Sequence, residues 1–236
     1  MVEAGYTTFD HDPRVARWAQ AARGALLTQD LIPDRCGGTW HVGVDALPNA
    51  PDGSIDGVPF EGPWGMRKPR LHAAQVSVIY PDYPRQDQDE TDAAFQFRIN
   101  RCAAHMDGLL PEGPSKRRHL REPHAFILGV PLGDVPDSPL VVWRGSHEVM
   151  GAAFAKAFQG IAPNDWGDVD VTETYQAARR LVFEQCQQEE VTVTKGQSVL
   201  LHRHLIHGVA PWKSTRREPR LVAYFRPQLA DVGRWL

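Results

Sequence analysis

The stretch Arg220 to Pro227, RLVAYFRP, constrains the fold of this chain more than any other. Its strict alternation puts Leu221, Ala223 and Phe225 on one face of a strand and Arg220, Val222, Tyr224 and Arg226 on the other. The first face belongs to a core. The second carries a permanently charged, forked guanidinium, and an arginine that points into the interior of a β structure needs a carboxylate partner. A small diacid gripped bidentately would supply one, and a salt bridge to an internal acid is the plainer alternative.

Other strand-length apolar runs accompany this one beyond residue 70. They are LHAAQVSVIY (71–80), HAFILGVPL (124–132), SPLVVWRGSH (138–147) and the apolar part of KGQSVLLHRHLIHGVAPW (195–212), each bounded by Gly- or Pro-rich turns. A further strand is expected at Phe95 to Asn100. Helical spacing is confined to three places: PRVARWAQAARGALL (13–27), where Asp12-Pro13 caps and starts the helix; 148–160, with Val149, Ala153 and Ala157 inward; and 171–187, with Tyr175, Ala178 and Val182 inward. Residues 45–70 are dense in proline and glycine and read as a long irregular excursion of the kind that covers a site, and 81–93 as an acidic surface connection anchored by Tyr83. Short strands framed by a few helices predict a mainly β fold with flanking helices, a two-sheet jelly roll. At 236 residues the chain fits one domain, with a helical and loop-rich part over 1–70 and a jelly-roll core over about 71–228.

Charge and cysteine usage exclude several classes of function. A net charge of −3 provides no general attraction for nucleic acid or for anionic membranes. The three cysteines, Cys36, Cys102 and Cys186, are far apart and lack C-x-x-C spacing, so buried free thiols are expected in place of disulfides or a thiolate zinc site. The N-terminal residues show no apolar stretch after a basic start, and no segment approaches the ~20 apolar residues of a membrane span. A soluble protein of the reducing cytoplasm, acting on a small molecule, is the expectation.

His105-Met106-Asp107 supplies the chemistry. On extended backbone an imidazole and a carboxylate two residues apart point to the same side, so both can reach one ion while Met106 turns away. Two histidines and one carboxylate occupy a single face of a six-coordinate Fe(II), leaving positions for a bidentate co-substrate and for dioxygen. Chance triplets of this kind arise in any chain with ten histidines and twenty-nine acidic residues, so the context has to carry the assignment. His207-Gly208 closes a predicted apolar strand about a hundred residues later, and Arg220 follows it by thirteen.

In this order the pieces resemble the Fe(II)/2-oxoglutarate-dependent dioxygenases, most closely the phytanoyl-CoA dioxygenase-like branch, over roughly residues 90–228. His105-Met106-Asp107-Gly108 is similar to the family's metal motif. PLVVWRGSHEVM is similar to its strand ending in a Pro-Gly-Ser-His turn, with Arg144 in the place of the proline. KGQSVLLHRHLIHGVAPW is similar to its segment leading to the distal histidine, with Gln197 where Asp is common and Trp212 where Asn is common. The resemblance implies a cupin-like double-stranded β-helix. It implies Fe(II) on His105, Asp107 and His207, with Arg220 holding the distal carboxylate of 2-oxoglutarate. Dioxygen and 2-oxoglutarate would be consumed to give succinate, carbon dioxide and a hydroxylated small organic substrate. Related halogenating enzymes have a small residue in the place of the carboxylate, so Asp107 disfavours halogenation.

Alternatives accompany each assignment. His202 and His204 compete with His207, since His204 to Arg217 spans the same thirteen residues. Arg217 lies in the polar turn KSTRREP, however, whereas Arg220 opens a strand, which favours His207. Gln96, Arg98, Asn100 and Arg226 are candidates for a second contact to 2-oxoglutarate. Ser146 and His147 are read as turn formers or substrate contacts, and Trp143 as core. Lys116, Arg117, Arg118, His119 and Arg121 form the one basic concentration, either a grip for an anionic substrate or a solvated loop. A cupin-like hydrolase or isomerase holding zinc or manganese, and a catalytically silent jelly-roll ligand-binding protein, are the rival functions.

Overall fold

Strands of three to six residues build the protein, and helices close it on two sides. The computed structural model describes residues 3–62 and 70–236, so residues 63–69 of the expected excursion lie outside the described residues. In chain order the elements are β1 (Tyr6–Phe9), α1 (Pro13–Leu26), β2 (Trp40–Gly43), β3 (Gln75–Ile79), α2 (Asp92–Asn100), β4 (Leu109–Glu112), β5 (Arg117–Leu120), β6 (Ile127–Pro131), β7 (Leu140–Trp143), α3 (Ser146–Ala157), α4 (Thr172–Gln185), β8 (Gln188–Val191), β9 (Ser198–Leu201), β10 (His207–Val209) and β11 (Arg220–Phe225). Short 3-10 turns lie at Pro163–Asp168 and Val232–Arg234.

A six-stranded antiparallel sheet runs β1-β9-β6-β11-β3-β2, and a three-stranded one runs β10-β7-β8. Their facing sides share a core of Ile127, Val199 and Leu201 from the large sheet with Leu140, Val142 and Val191 from the small one. The outer face of the large sheet is covered by α1 and the excursion, where Trp18, Phe60 and Phe225 meet with ring centroids 4.6 to 5.6 Å apart. Helices α3 and α4 cover the outer face of the small sheet through Met150, Phe154, Tyr175 and Val182. The alternation of β11 is realised as expected: Leu221, Ala223 and Phe225 join the core under α1, leaving Arg220, Val222 and Tyr224 to face the small sheet. No helix among the described residues is long and apolar enough to cross a membrane.

Five expectations need correction. The sheets remain separate, and none closes into a jelly-roll barrel. The N-terminal part is less helical than its composition suggests, since β1 and β2 are the two edges of the large sheet. Phe95 to Asn100 belongs to helix α2: the Thr91 hydroxyl accepts from the Ala94 N–H at 3.3 Å and Asp92 sits in the first turn, and this start signal outweighs a short period-two pattern. The inner face of α3 is Met150 and Phe154, one step on from Val149, Ala153 and Ala157, which are only partly buried. Residues 108–123 are an ordered hairpin, β4–β5, whose basic residues fasten it down: Arg117 pairs with Asp170 and Glu173, Arg121 with Glu112, and Arg118 lies over the Tyr175 ring. The three arginines of that cluster are thus held by partners within the chain.

Candidate metal centre

β10 ends the small sheet, pairing His207 with Val142 of β7. On its other side lies an isolated antiparallel bridge, His105 with His207, in which each residue's N–H donates to the other's carbonyl at 2.8 and 2.9 Å. The two imidazoles therefore stand side by side, with ring centroids 4.7 Å apart. Asp107, two residues on in the same extended segment, turns Oδ1 toward both rings, 3.3 Å from His105 Nε2 and 4.0 Å from His207 Nε2. The three ligand atoms all lie within 4.8 Å of one another, and among the described residues no other group of three such side chains does so. Donors on one face of an octahedron with bonds of ~2.1 Å sit ~3 Å apart, so small side-chain rotations close this set on an ion.

The hydrogen bonds prepare the donors. His105 Nδ1 lies 2.9 Å from the Ala103 carbonyl and His207 Nδ1 2.9 Å from the Leu205 carbonyl; with Nδ1 carrying a proton, each ring turns Nε2 to the side of Asp107, as a lone pair on neutral His207 and, on His105, as a lone pair once the proton shared with Asp107 is given up. Burial disfavours charge on His207, and His105 beside it adds to this, so its pKa falls to about 4 and the ring is neutral. Burial also opposes ionisation of Asp107, but the hydrogen bond from His105 and the nearby His207 and Arg226 outweigh it and hold the carboxyl well below its usual range. At His105 burial opposes the proton, yet the hydrogen bond and charge of Asp107 raise its pKa. A carboxylate and two Nε2 donors are thus ready for a divalent cation, which would displace any proton from His105.

These residues line a cavity of about 300 Å³ between the two sheets. Its apolar and aromatic lining includes Trp40, Val42, Tyr83 and Leu110, and its polar groups beyond the triad include Gln75, Ser77, Glu122 and Arg226. Trp40 Nε1 donates to Ser77 Oγ at 2.9 Å, which leaves the serine proton free for another acceptor. A second, more polar cavity of about 510 Å³ adjoins it through Val44, Glu122 and Arg226. Arg220 does not line either cavity. It sits on the same inward face of β11, opposite Ile79, 6% exposed, and its buried Nη1 has no hydrogen-bond partner.

Other candidates fall elsewhere. Arg98 of α2 pairs with Glu90, just before the helix, at 2.6 Å, Gln96 and Asn100 bond each other on α2, and none lines the cavity. Arg217 is exposed. His204 packs against Trp235 with centroids 4.3 Å apart, and His202 lies beside His147, so neither competes for the ion. Ser146 Oγ accepts the Ile206 N–H at 2.9 Å, a link to the segment before β10, and Trp143 is core against Phe183. Cys36, Cys102 and Cys186 are free thiols. Gln75, Ser77 and Glu122 went unnoticed in the sequence; the alternation of β3 would have placed the first two on one face, but only the β3–β11 register aligns that face with β11.

No protein-family profile matches the chain, and no curated protein does. Among solved structures, it is similar to the non-haem alpha-ketoglutarate-dependent carbocyclase SnoK from nogalamycin biosynthesis, at 15% identity over 97% of this chain and 85% of that one, with a TM-score of 0.49. It is also similar to EctD from S. alaskensis with bound Fe, at 16% identity over 94% and 72% with a TM-score of 0.44. HygX from Streptomyces hygroscopicus, solved with nickel, 2-oxoglutarate and hygromycin B, is 14% identical over 95% and 84%, with a TM-score of 0.45. At such identities the likeness carries no information on the reaction, which the side chains of the site must supply.

Proposed function

We propose that the chain is a non-haem Fe(II)- and 2-oxoglutarate-dependent oxygenase of the phytanoyl-CoA dioxygenase-like branch that hydroxylates a small organic substrate. The observation that carries this reading is the convergence of His105 Nε2, Asp107 Oδ1 and His207 Nε2 at the wall of a cavity that Tyr224 of β11 and the following Arg226 also line. The chain acts as one domain, its core over about 71–228 an open form of the double-stranded β-helix, in a reducing cytoplasm that suits its three free thiols.

His105, Asp107 and His207 would hold Fe(II), and Arg220 the distal carboxylate of 2-oxoglutarate. With both bound, the centre supplies dioxygen activation, coupled to conversion of 2-oxoglutarate to succinate and carbon dioxide. The chain's own contribution is placement. Three protein ligands on one face keep the remaining positions open toward the cavity. The unpartnered Nη1 of Arg220 suits a carboxylate, because a buried guanidinium gains most from a bidentate acid. Trp40, Val42, Tyr83 and Leu110 exclude water from the approach to the metal.

The test combines a spectrum with a product. Anaerobic Fe(II) and 2-oxoglutarate should give the weak visible charge-transfer band of bidentate chelation, and His105→Ala or Asp107→Ala should abolish both the band and uncoupled succinate formation. Folded wild-type protein that gives neither band nor succinate, and that retains zinc or manganese instead, would move the assignment to a non-oxidative metalloenzyme.

A further inference from the structure

Arg226 is held at four points. Its backbone N–H donates to His72 Nε2 at 2.9 Å, and its carbonyl lies 3.1 Å from His124 Nδ1. Its Nη1 donates to Asp107 Oδ2 at 3.2 Å, and its Nη2 donates to Gln75 Oε1. Gln75 is fixed in turn by the β3–β11 register, which sets it opposite Tyr224. The guanidinium and the carboxylate are both largely buried, at 16% and 14% side-chain exposure, so the pair is shielded from the solvent screening that weakens surface ion pairs.

We infer that Arg226 is a positioning residue for Asp107: by occupying Oδ2 it leaves the carboxylate one oxygen, Oδ1, to offer an ion held between His105 and His207. The two oxygens are already divided in this way, Oδ1 toward the rings and Oδ2 toward the guanidinium. A carboxylate without such a partner can swing to bind an ion through both oxygens and so take a fourth coordination position. Three open positions would then become two, too few for a chelating co-substrate together with dioxygen. The planar fork matters as well as the charge, since one arm holds Asp107 while the other is braced on Gln75. This inference rests on the metal reading of the triad and does not depend on which reaction the metal supports.

The charge of Arg226 repels a cation while its geometry prepares the ligand, so metal affinity alone is a poor readout and the shape of the coordination sphere is the informative one. The experiment is titration of the full-length protein with Co(II), following its visible ligand-field spectrum, with circular dichroism and melting temperature recorded for every variant. Arg226→Met, folded as wild type, should shift the Co(II) bands or lose Co(II) binding. Arg226→Lys, which keeps the charge without the fork, should shift them in the same direction, and Gln75→Leu should do so by a smaller amount. A role confined to packing would lower the melting temperature and leave the spectrum in place. Superimposable Co(II) spectra for wild type and Arg226→Met, or full restoration of the wild-type spectrum by Arg226→Lys, would overturn the inference. Should Arg226→Met fail to fold, Gln75→Leu decides alone, an unchanged spectrum overturning the inference and a shifted one supporting it. A wild-type protein that binds no Co(II) would sink the metal reading and this inference together.

Discussion

His105 and His207 hydrogen-bond to each other through both of their backbone groups, although 101 residues separate them and the segment carrying His105 forms no other ladder with β10. This one bridge sets the two imidazoles side by side. It forms because the chain at Cys102 to Ala104 can press against Gly208, where the Cys102 carbonyl also accepts the Val209 N–H at 2.9 Å.

Gly208→Ala therefore tests the bridge. A Cβ there would lie 2.1 Å from the Cys102 carbonyl oxygen, a backbone atom that cannot turn aside, so the 102–105 segment must back away and carry His105 with it. The expected cost is about 1–3 kcal/mol of stability by overpacking, seen in urea unfolding, together with loss of Fe(II) or Co(II) binding at temperatures where the variant is still folded. Wild-type metal binding in this variant would show that the bridge is not what assembles the site.

Replacing Arg220 by Met separates function from stability. Its buried Nη1 has no partner, so an apolar side chain of similar length should leave the metal-free protein as stable as wild type or stabilise it by about 1–3 kcal/mol. The Kd for 2-oxoglutarate, measured anaerobically on the Fe(II)-loaded protein, should rise about 10- to 100-fold, the worth of a charge-assisted bidentate pair. An unchanged Kd would remove the co-substrate role from Arg220.

Acid should weaken the fold through histidines that do not touch the metal site. His202 is half-buried and His204 buried beside His147 and Arg203, and burial followed by these neighbours depresses their pKa values to about 4 and about 2. The unfolded chain takes up their protons near 6.5 and the folded chain does not, so their contribution is complete above 6.5 and is lost as the pH falls below it. Each group contributes up to about 1.4 kcal/mol per pH unit in that window. Urea unfolding between pH 7.5 and 5 should show a shallower pH dependence for His204→Gln than for wild type; equal slopes would mean that His204 is already protonated in the fold.

Local pattern carried a good part of this protein. The alternation of Arg220 to Arg226, the pairing of His105 with Asp107 on one side of an extended segment, the start of α1 at Asp12-Pro13 and the inner face of α4 all follow from period and capping, which depend on near neighbours in the chain. Where two local signals competed, as at Phe95 to Asn100, the cap at Thr91 won over the alternation, and the strand expected there is a helix. Where the signal was composition alone, as in the basic cluster Lys116 to Arg121, a charged stretch that could pass for a solvated loop proved to belong to a hairpin whose Arg117 faces acids more than fifty residues away.

The sequence by itself determined which side chains could serve as ligands and which face of β11 would carry its arginines, because residue type and strand period are properties of the chain. Only the tertiary structure decided that His207 and not His204 stands beside His105, that Arg226 grips the outer oxygen of Asp107, and that Gln75 braces it. Those choices depend on which backbones can approach within hydrogen-bonding distance across a hundred residues or more. That approach is set by the packing of two sheets on a shared core and by the missing side chain of Gly208, and a one-dimensional pattern encodes neither distance.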